Sequence, residues 1–387
     1  MSNLRTYEMS LKELKRLNVI EKVLSGEMTQ QLAAEQLDLS DRQVRRLLSR
    51  VRRNGNGSIV HQLRGKISNR KFSDEFKEKI IRLYQEKYRG FGASLAQEKL
   101  EEEGLHLSAE TLRKWLVEQG LHSRHRRGRR HLSWRERRSC AGEMWQVDGS
   151  HHAWFESRGS KCVLMALIDD ATGQVDAGFY DHEGTRSIMD IFKKSIQKRG
   201  IPQSLYLDRH SAYKGKGFRG SLEEELEGNA IESQFERAAR ELEVDVIHAH
   251  SPQAKGRVER LFRTLQDRLV KEMYLESIST IVEGNRFLKS YLKKHNAKFS
   301  VPAKEQADVH RAVPRGLDLD AILCIKQERT VRNDRTVSYK GKWLQILNRT
   351  SAKKVTVEER LNGKLMVISK AESLKFKPIR ISSTLRT

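Results

Sequence analysis

Cysteine is nearly absent. Cys140, Cys162 and Cys324 are the whole complement of a 387-residue chain, and an odd number at wide spacing supplies neither a disulfide framework nor a zinc knuckle, so ordinary reduced thiols are expected. No run of 18 apolar residues occurs, and the opening MSNLRTYEMSLKELKRL is polar and charged, without the apolar stretch of a secretion signal. Neither a membrane span nor an exported protein is expected, which places the chain in the cytoplasm. Long-period repeats and low-complexity tracts are also missing, and the length implies two to four domains. Acidic side chains are in deficit: 51 Asp plus Glu face 74 Lys plus Arg, a formal net charge of +23. The excess is blocky rather than evenly spread, which points to a polyanionic partner, with double-stranded DNA the first expectation.

The first 120 residues read as short amphipathic helices broken by turns. In MTQQLAAEQLDLSDRQVRRLLSRVRRNG, Leu32 and Ala33 lie on one helix, the turn passes through Leu37 and Leu39, and Ser40 is placed to N-cap a second helix. That helix carries Val44, Leu47, Leu48 and Val51 on one face. Arg42, Gln43, Arg45, Arg46 and Arg50 lie on the other, the residue types that read base edges and phosphates from a major-groove helix. A second helix-turn-helix-like unit follows, with Ser73 and Ser108 as caps and Leu112, Trp115 and Leu116 inward; Glu110 and Glu118 make its outer face less basic. The stretch HSRHRRGRRHLSWRERRS then sets eight arginines, among them Arg126, Arg127, Arg129 and Arg130, against the single acid Glu136. Such a run repels itself unless it lies along phosphates, and is read as a DNA-tracking linker.

From Met144 the pattern changes. MWQVDGS, CVLMALID and GQVDAGFY read as three consecutive strands, with Asp169, Asp170 and Gly173 forming the turn between the last two. A helix over 185–198, the strand SLYLD, a helix over 233–242, the strand VDVIHA and a long helix in SPQAKGRVERLFRTLQDRL complete the series. Three strands followed by alternating helices and strands imply a mixed five-stranded sheet with flanking helices. Beyond about residue 300 comes a connector, then hairpins marked by Asn333-Asp334, Lys340-Gly341 and Asn362-Gly363, from which a small β-barrel is expected.

Three carboxylates stand out in this frame. Asp148 ends the first strand, Asp208 ends the fourth, and Glu259 enters the long helix among Lys and Arg. Acids at strand ends and a helix start converge at one edge of such a sheet, where they suit two Mg²⁺ (or Mn²⁺) ions that clamp a phosphodiester. Lys255, Glu259, Arg263 and Gln266 share a helix face by i, i+4 and i+3 steps, so Lys255 and Arg263 are expected on the DNA backbone. Val258, Leu261, Leu265 and Leu269 form the opposite, docking stripe. His210 is a candidate phosphate contact. A His-rich metal site from His151, His152, His248 and His250 lacks the short ligand spacing that zinc needs.

MWQVDGS, LYLDRHSAY and HSPQAKGRVERLFRTLQDRL resemble the three motifs of the integrase-type (DDE) transposase superfamily, which includes retroviral integrases and many bacterial insertion-sequence transposases. The helical front end and RTVRNDRTVSYKGKWLQI more particularly resemble bacterial transposases of the ISNCY type. The resemblance implies a ribonuclease H-like integrase core, metal-dependent strand cleavage and strand transfer, and a catalytic, metal-binding triad on Asp148, Asp208 and Glu259. Two departures accompany it. Arg209-His210 follow the second Asp where many relatives carry Asn or Gly, and the interval to Glu259 is longer than in the retroviral relatives by a segment over 214–231.

The implied multidomain organisation is all-α helix-turn-helix units over 1–65 and 66–121, a basic linker over 122–140, an α/β catalytic core over 141–304, a connector over 305–325 and a small β-barrel over 326–387. A homodimer or higher homo-oligomer on DNA is expected, nucleoid-associated and away from membranes. The rival is a sequence-specific DNA-binding regulator with a non-catalytic core.

Overall fold

Hydroxyl caps start nearly every helix of the N-terminal segment. The computed structural model describes residues 8–61, 64, 71–123, 136–207, 233–248, 256–370 and 372–379. The chain divides into two compact units, Met1–Arg89 and Gly90–Thr387, a boundary that falls inside the segment read as the second helix-turn-helix. In the first unit Ser10 and Glu13 close a capping box on α1 (Leu11–Leu24), Thr29 caps α2 (Gln30–Leu37), and Ser40 with Gln43 closes a second box on α3 (Asp41–Asn54). Asp38, in the left-handed region at φ 54°, makes the turn between α2 and α3. Ile20, Ala33, Ala34, Val44, Leu48, Val51 and Ile59 form the core, while Leu32 is exposed. Ser73 caps α4 (Asp74–Lys87), which buries Ile80 and Tyr84.

The second unit opens with α5 (Ala93–Glu102) and α6 (Ala109–Glu118), which pack on each other. Ser108 caps α6, and Leu112 and Leu116 are buried; Trp115 is half-buried rather than fully inward. Next come β1 (Met144–His152), β2 (Cys162–Asp169), β3 (Val175–Tyr180), α7 (Thr185–Arg199), β4 (Ser204–Leu207), α8 (Gln234–Glu241), β5 (Asp245–His248), α9 (Gly256–Leu275) and α10 (Ile281–Phe299). The sheet order is β3-β2-β1-β4-β5. The first three strands are antiparallel, and β4 and β5 run parallel to β1, so the expected mixed five-stranded sheet is present.

Alternation assigns the two faces. Trp145 and Val147 of β1, with Val163, Met165 and Leu167 of β2, pack under α7 and α8. Leu164, Ala166 and Ile168 of β2, with Val175 and Phe179 of β3, pack under Val258, Leu261, Leu265 and Leu269 of α9 and Leu288 and Leu292 of α10. All eight residues of β2 are therefore buried. The free edge of β3 is closed by two side chains of α10. The amide of Asn285 accepts the N–H of Phe179 (2.8 Å) and donates to its carbonyl (2.9 Å), and Asn296 does the same to Val175 (2.8 and 2.9 Å).

The connector is laced to this core. Asp308 bridges to Ala141 and Arg311 to Ile201, the Trp145 indole donates to His310 (3.1 Å), and α11 (Leu319–Ile322) contributes Leu319 to the α7 side. The remaining strands are β6 (Ile325–Thr330), β7 (Thr336–Tyr339), β8 (Lys342–Ile346), β9 (Lys354–Glu359), β10 (Leu365–Ser369), β11 (Glu372–Leu374) and β12 (Phe376–Ile379). The turns at Lys340-Gly341 and Asn362-Gly363 lie between paired strands as expected. The expected closed barrel is not what these strands form. They make a four-stranded sheet, β11-β10-β9-β6, and a separate three-stranded sheet, β12-β8-β7, and among the described residues no ladder joins the two. Both contribute to one core of Val337, Tyr339, Leu344, Ile346, Val355, Val357 and Val367, so burial is achieved by stacking sheets rather than by closing one.

Candidate active site and nucleic-acid faces

Asp148 lies midway along β1, half-buried, between the buried Val147 and Ser150. Its partner across the antiparallel ladder is Ala166. Directly opposed residues share a sheet face, so Asp148, with Gln146 and Ser150 two positions to either side, points to the face that α9 covers. Glu259 is exposed in the first turn of that helix, one step from the buried Val258.

One ion pair and one hydrogen bond fix where α9 lies along β1. At the start of the helix, the Nε of Arg257 sits 3.4 Å from Oδ1 of Asp170, and the same oxygen accepts Nε2 of Gln146 (2.6 Å). Farther on, Nε2 of Gln266 donates to Oγ of Ser150 (3.1 Å). From Arg257 to Gln266 the helix rises about 13.5 Å, and from Gln146 to Ser150 the strand advances about 13 Å. Helix and strand therefore run side by side over this span. The stretch containing Glu259 comes abreast of the stretch containing Asp148.

The third expected carboxylate, Asp208, lies outside the described residues, as do His210, Lys255, Arg126, Arg127, Arg129 and Arg130. The described part of β4 ends at Leu207, with Tyr206 paired to Gln146, two positions before Asp148. Arg263 is exposed one turn beyond Glu259. Gln266, expected on the same outward stripe, is instead held within the protein by Ser150.

Two arginines that periodicity did not single out join this face. Burial first, then the guanidinium groups of Arg137 and Arg263, lowers the pKa of Arg260 from its ordinary value. Arg137 itself donates to the carbonyls of Asp170 (3.3 Å) and Ala171 (3.2 Å). Three like charges thus gather around Arg260 near the start of α9, an arrangement suited to a polyanion.

Of the four histidines weighed as a metal site, His151 meets Glu183 (2.9 Å), His248 meets Glu236 (2.9 Å), His152 lies edge-on to Trp154 and His250 lies outside the described residues, among which no group of three or more His, Cys, Asp or Glu could hold a metal ion. Trp145 and Trp154 are core residues. In the first unit, α3 turns Arg42, Arg45 and Arg46 to solvent with Arg50 half-buried, and these line an open groove with Ser49 and Arg53. Gln43 is committed differently from a free base reader: its Oε1 accepts the N–H of Ser40 (3.1 Å) in the capping box, which leaves only its amide hydrogens to face outward.

A helix-turn-helix unit ahead of a mixed-sheet core with acids beside clustered arginines defines a DNA-acting protein. Residues 15–67 match the family described as helix-turn-helix domain. The y4bF protein of Sinorhizobium fredii, named as a candidate transposase, is 38% identical over 86% of this chain and 72% of its own length. The transposase for insertion sequence IS1202 of Streptococcus pneumoniae is 28% identical over 86% of this chain and 77% of its own. Among solved structures, a chain of the simian T-cell lymphotropic virus intasome in complex with PP2A regulatory subunit B56 gamma is 16% identical at a TM-score of 0.35, covering 77% of this chain and 96% of that one, too distant a likeness to assign any residue. The chain belongs to the family of bacterial insertion-sequence transposases. Among the described residues no helix is long and apolar enough to cross a membrane.

Proposed function

We propose that the chain cuts DNA strands at the ends of its insertion sequence and joins them to target DNA, with Asp148, Asp208 and Glu259 as the ligands of two Mg²⁺ or Mn²⁺ ions in a ribonuclease H-like core. The observation that carries this reading is the course of α9 along the Asp148 face of β1, pinned at Arg257 and at Gln266. The donor set fits the ions: carboxylate oxygens are the hard ligands such cations take, and three neighbouring acids in one site would repel without them. When bound, the ions would polarise the phosphodiester and assist the attacking and leaving oxygens.

The chain's own groups bind and orient the DNA. The arginines of α3 engage the element ends, with the segment carrying Arg126, Arg127, Arg129 and Arg130 along the backbone. Lys255, Arg137, Arg260, Arg263 and His210 hold phosphates around the scissile bond. Water displaces a 3′-oxygen in the first step, and the freed 3′-hydroxyl attacks a target phosphate in the second. Each step exchanges one P–O bond for another, so no side chain has to become covalently attached to DNA. Two ends must be joined together, which calls for a homodimer or larger assembly on the DNA.

The test is nicking of a duplex carrying the DNA ends that flank the gene, with Mg²⁺ or Mn²⁺. Wild type is expected to nick, and Asp148→Ala and Glu259→Gln to bind the same duplex with unchanged affinity and leave it intact. Tight binding by wild type with no nicking in either metal would sink the proposal and leave a DNA-binding regulator.

A further inference from the structure

We infer that Asp170 is a positioning residue: through Arg257 its buried carboxylate sets how far along β1 the Glu259 turn of α9 lies. The inference rests on the reading of Asp148 and Glu259 as partners in catalysis. From the sequence alone Asp169 and Asp170 are both turn formers, but only Asp169 does that work. Its Oδ1 accepts the backbone N–H (2.8 Å) and hydroxyl (2.7 Å) of Thr172, and its Oδ2 accepts the N–H of Gly142 (2.8 Å). Asp170 turns the other way and is fully buried. Its Oδ2 accepts the N–H of Arg138 (2.8 Å), while its Oδ1 takes Nε2 of Gln146 (2.6 Å) and faces Arg257 (3.4 Å).

Gln146 precedes Asp148 by two residues on the same sheet face, and Arg257 precedes Glu259 by two residues in the same helical turn. One carboxylate therefore contacts both elements, each just upstream of its catalytic acid. A turn needs no such group, and a buried carboxylate is costly unless its partners hold it. Apart from the Gln266–Ser150 hydrogen bond, the contacts of α9 with the sheet named above are apolar, so they resist separation of the helix far more than sliding along the strand. An ion pair to a fully buried carboxylate opposes sliding, because a shift would strand its charge, and of the two polar contacts named Asp170–Arg257 is the nearer to Glu259 in sequence.

The experiment compares the full-length variants Asp170→Asn, Arg257→Gln, the double variant, Arg257→Lys and Glu259→Gln. Three quantities are measured for each: single-turnover cleavage at saturating DNA, DNA affinity, and Mn²⁺ binding followed by electron paramagnetic resonance. Misplacement by about 1 Å costs about 100-fold in rate. Asp170→Asn and Arg257→Gln are each expected to lose about that much in the cleavage step and to bind Mn²⁺ more weakly, with DNA affinity unchanged. The double variant is expected to be no worse than Asp170→Asn, because the two groups act as one contact, and Arg257→Lys to recover part of the rate. If Asp170→Asn does not fold, Arg257→Gln decides, since it leaves the bonds of Asp170 to Arg138 and Gln146 in place. Wild-type cleavage by Arg257→Gln, or equal losses of cleavage and DNA binding, would overturn the inference. Glu259→Gln separates the two levels: if it is inactive while Arg257→Gln is fully active, only the positioning role falls, whereas an active Glu259→Gln removes the catalytic reading itself.

Discussion

Replacing Arg42, Arg45 and Arg46 together by Gln tests whether α3 is the helix that meets DNA. All three are exposed, whereas Val44, Leu48 and Val51 on the other face carry the packing, so the fold of the unit is expected to survive. Gln and Arg have similar helix propensity, and surface changes of this kind cost within about 0.5 kcal/mol. The effect on DNA follows from counterion release. Each phosphate contact contributes about 0.9 to the slope of log affinity against log salt, so losing three makes the slope shallower by about 2.7. Between about 50 and 200 mM salt, a fourfold change, wild type should then lose about 40-fold more affinity than the variant. Fluorescence anisotropy of a labelled duplex across that range reads the difference directly. An unchanged slope would refute the assignment of these arginines to phosphates, and unchanged affinity at every salt concentration would remove α3 from the interface.

Two further outcomes follow from the long helices of the core. Asn285→Ala with Asn296→Ala uncovers backbone groups of Phe179 and Val175 on the β3 edge, at about 1–3 kcal/mol for each buried group left unsatisfied. Light scattering should show concentration-dependent self-association that wild type lacks, and a variant as monodisperse as wild type would mean the edge needs no cover. Burial first, then the neighbouring Arg268, lowers His295 from 6.5 to about 4, so between those values the unfolded chain holds a proton that the folded chain does not. Stability is therefore full above pH 6.5 and falls as pH drops toward 4, by roughly 3 kcal/mol in all. His295 lies between the rings of Tyr291 and Phe299, so His295→Phe keeps the packing and should flatten this part of the denaturant-midpoint profile; parallel profiles would exclude His295 as the source.

What could be read from residue order was whatever local chemistry decides. Caps at Ser40, Ser73 and Ser108 place helices because a hydroxyl beside a helix start satisfies backbone N–H groups within three residues. The strand CVLMALID was legible end to end because both its faces are covered and its apolar run is unbroken. Helix α10 passed unrecognised although Thr280 and Glu283 form a capping box at its start, a signal the sequence does contain. The expected barrel failed for a different reason. Turn residues specify hairpins, but whether the hairpins close on each other depends on long-range pairing, and here β9 chose β6 and β10 while β8 chose β7 and β12. The partners of Gln43 and Asp170 are not legible in the sequence, because a side chain's partner depends on which way it points. Gln43 turns back onto its own helix cap, and Asp170 turns under the sheet.

The arginines around Glu259 bear on why an acid is kept in so basic a segment. Burial, and then the guanidinium groups of Arg137 and Arg263, disfavour the charge of Arg260 in the free protein. The exposed carboxylate of Glu259, next in sequence to Arg260, is one negative charge in a stretch rich in positive ones. A sequence selected only to bind DNA would do better with a neutral side chain at 259, which would leave the attraction for phosphate undiminished. Keeping an acid there opposes the approach of a polyanion unless a cation comes between them. Under the proposed function the phosphate held by the arginines lies beside a metal held by the carboxylate, which would reconcile the acid with the basic cluster. It follows that Glu259→Gln, while abolishing cleavage, should bind DNA in the absence of divalent metal slightly more tightly than wild type. Weaker metal-free binding by that variant would show that Glu259 serves mainly to hold the arginines in place.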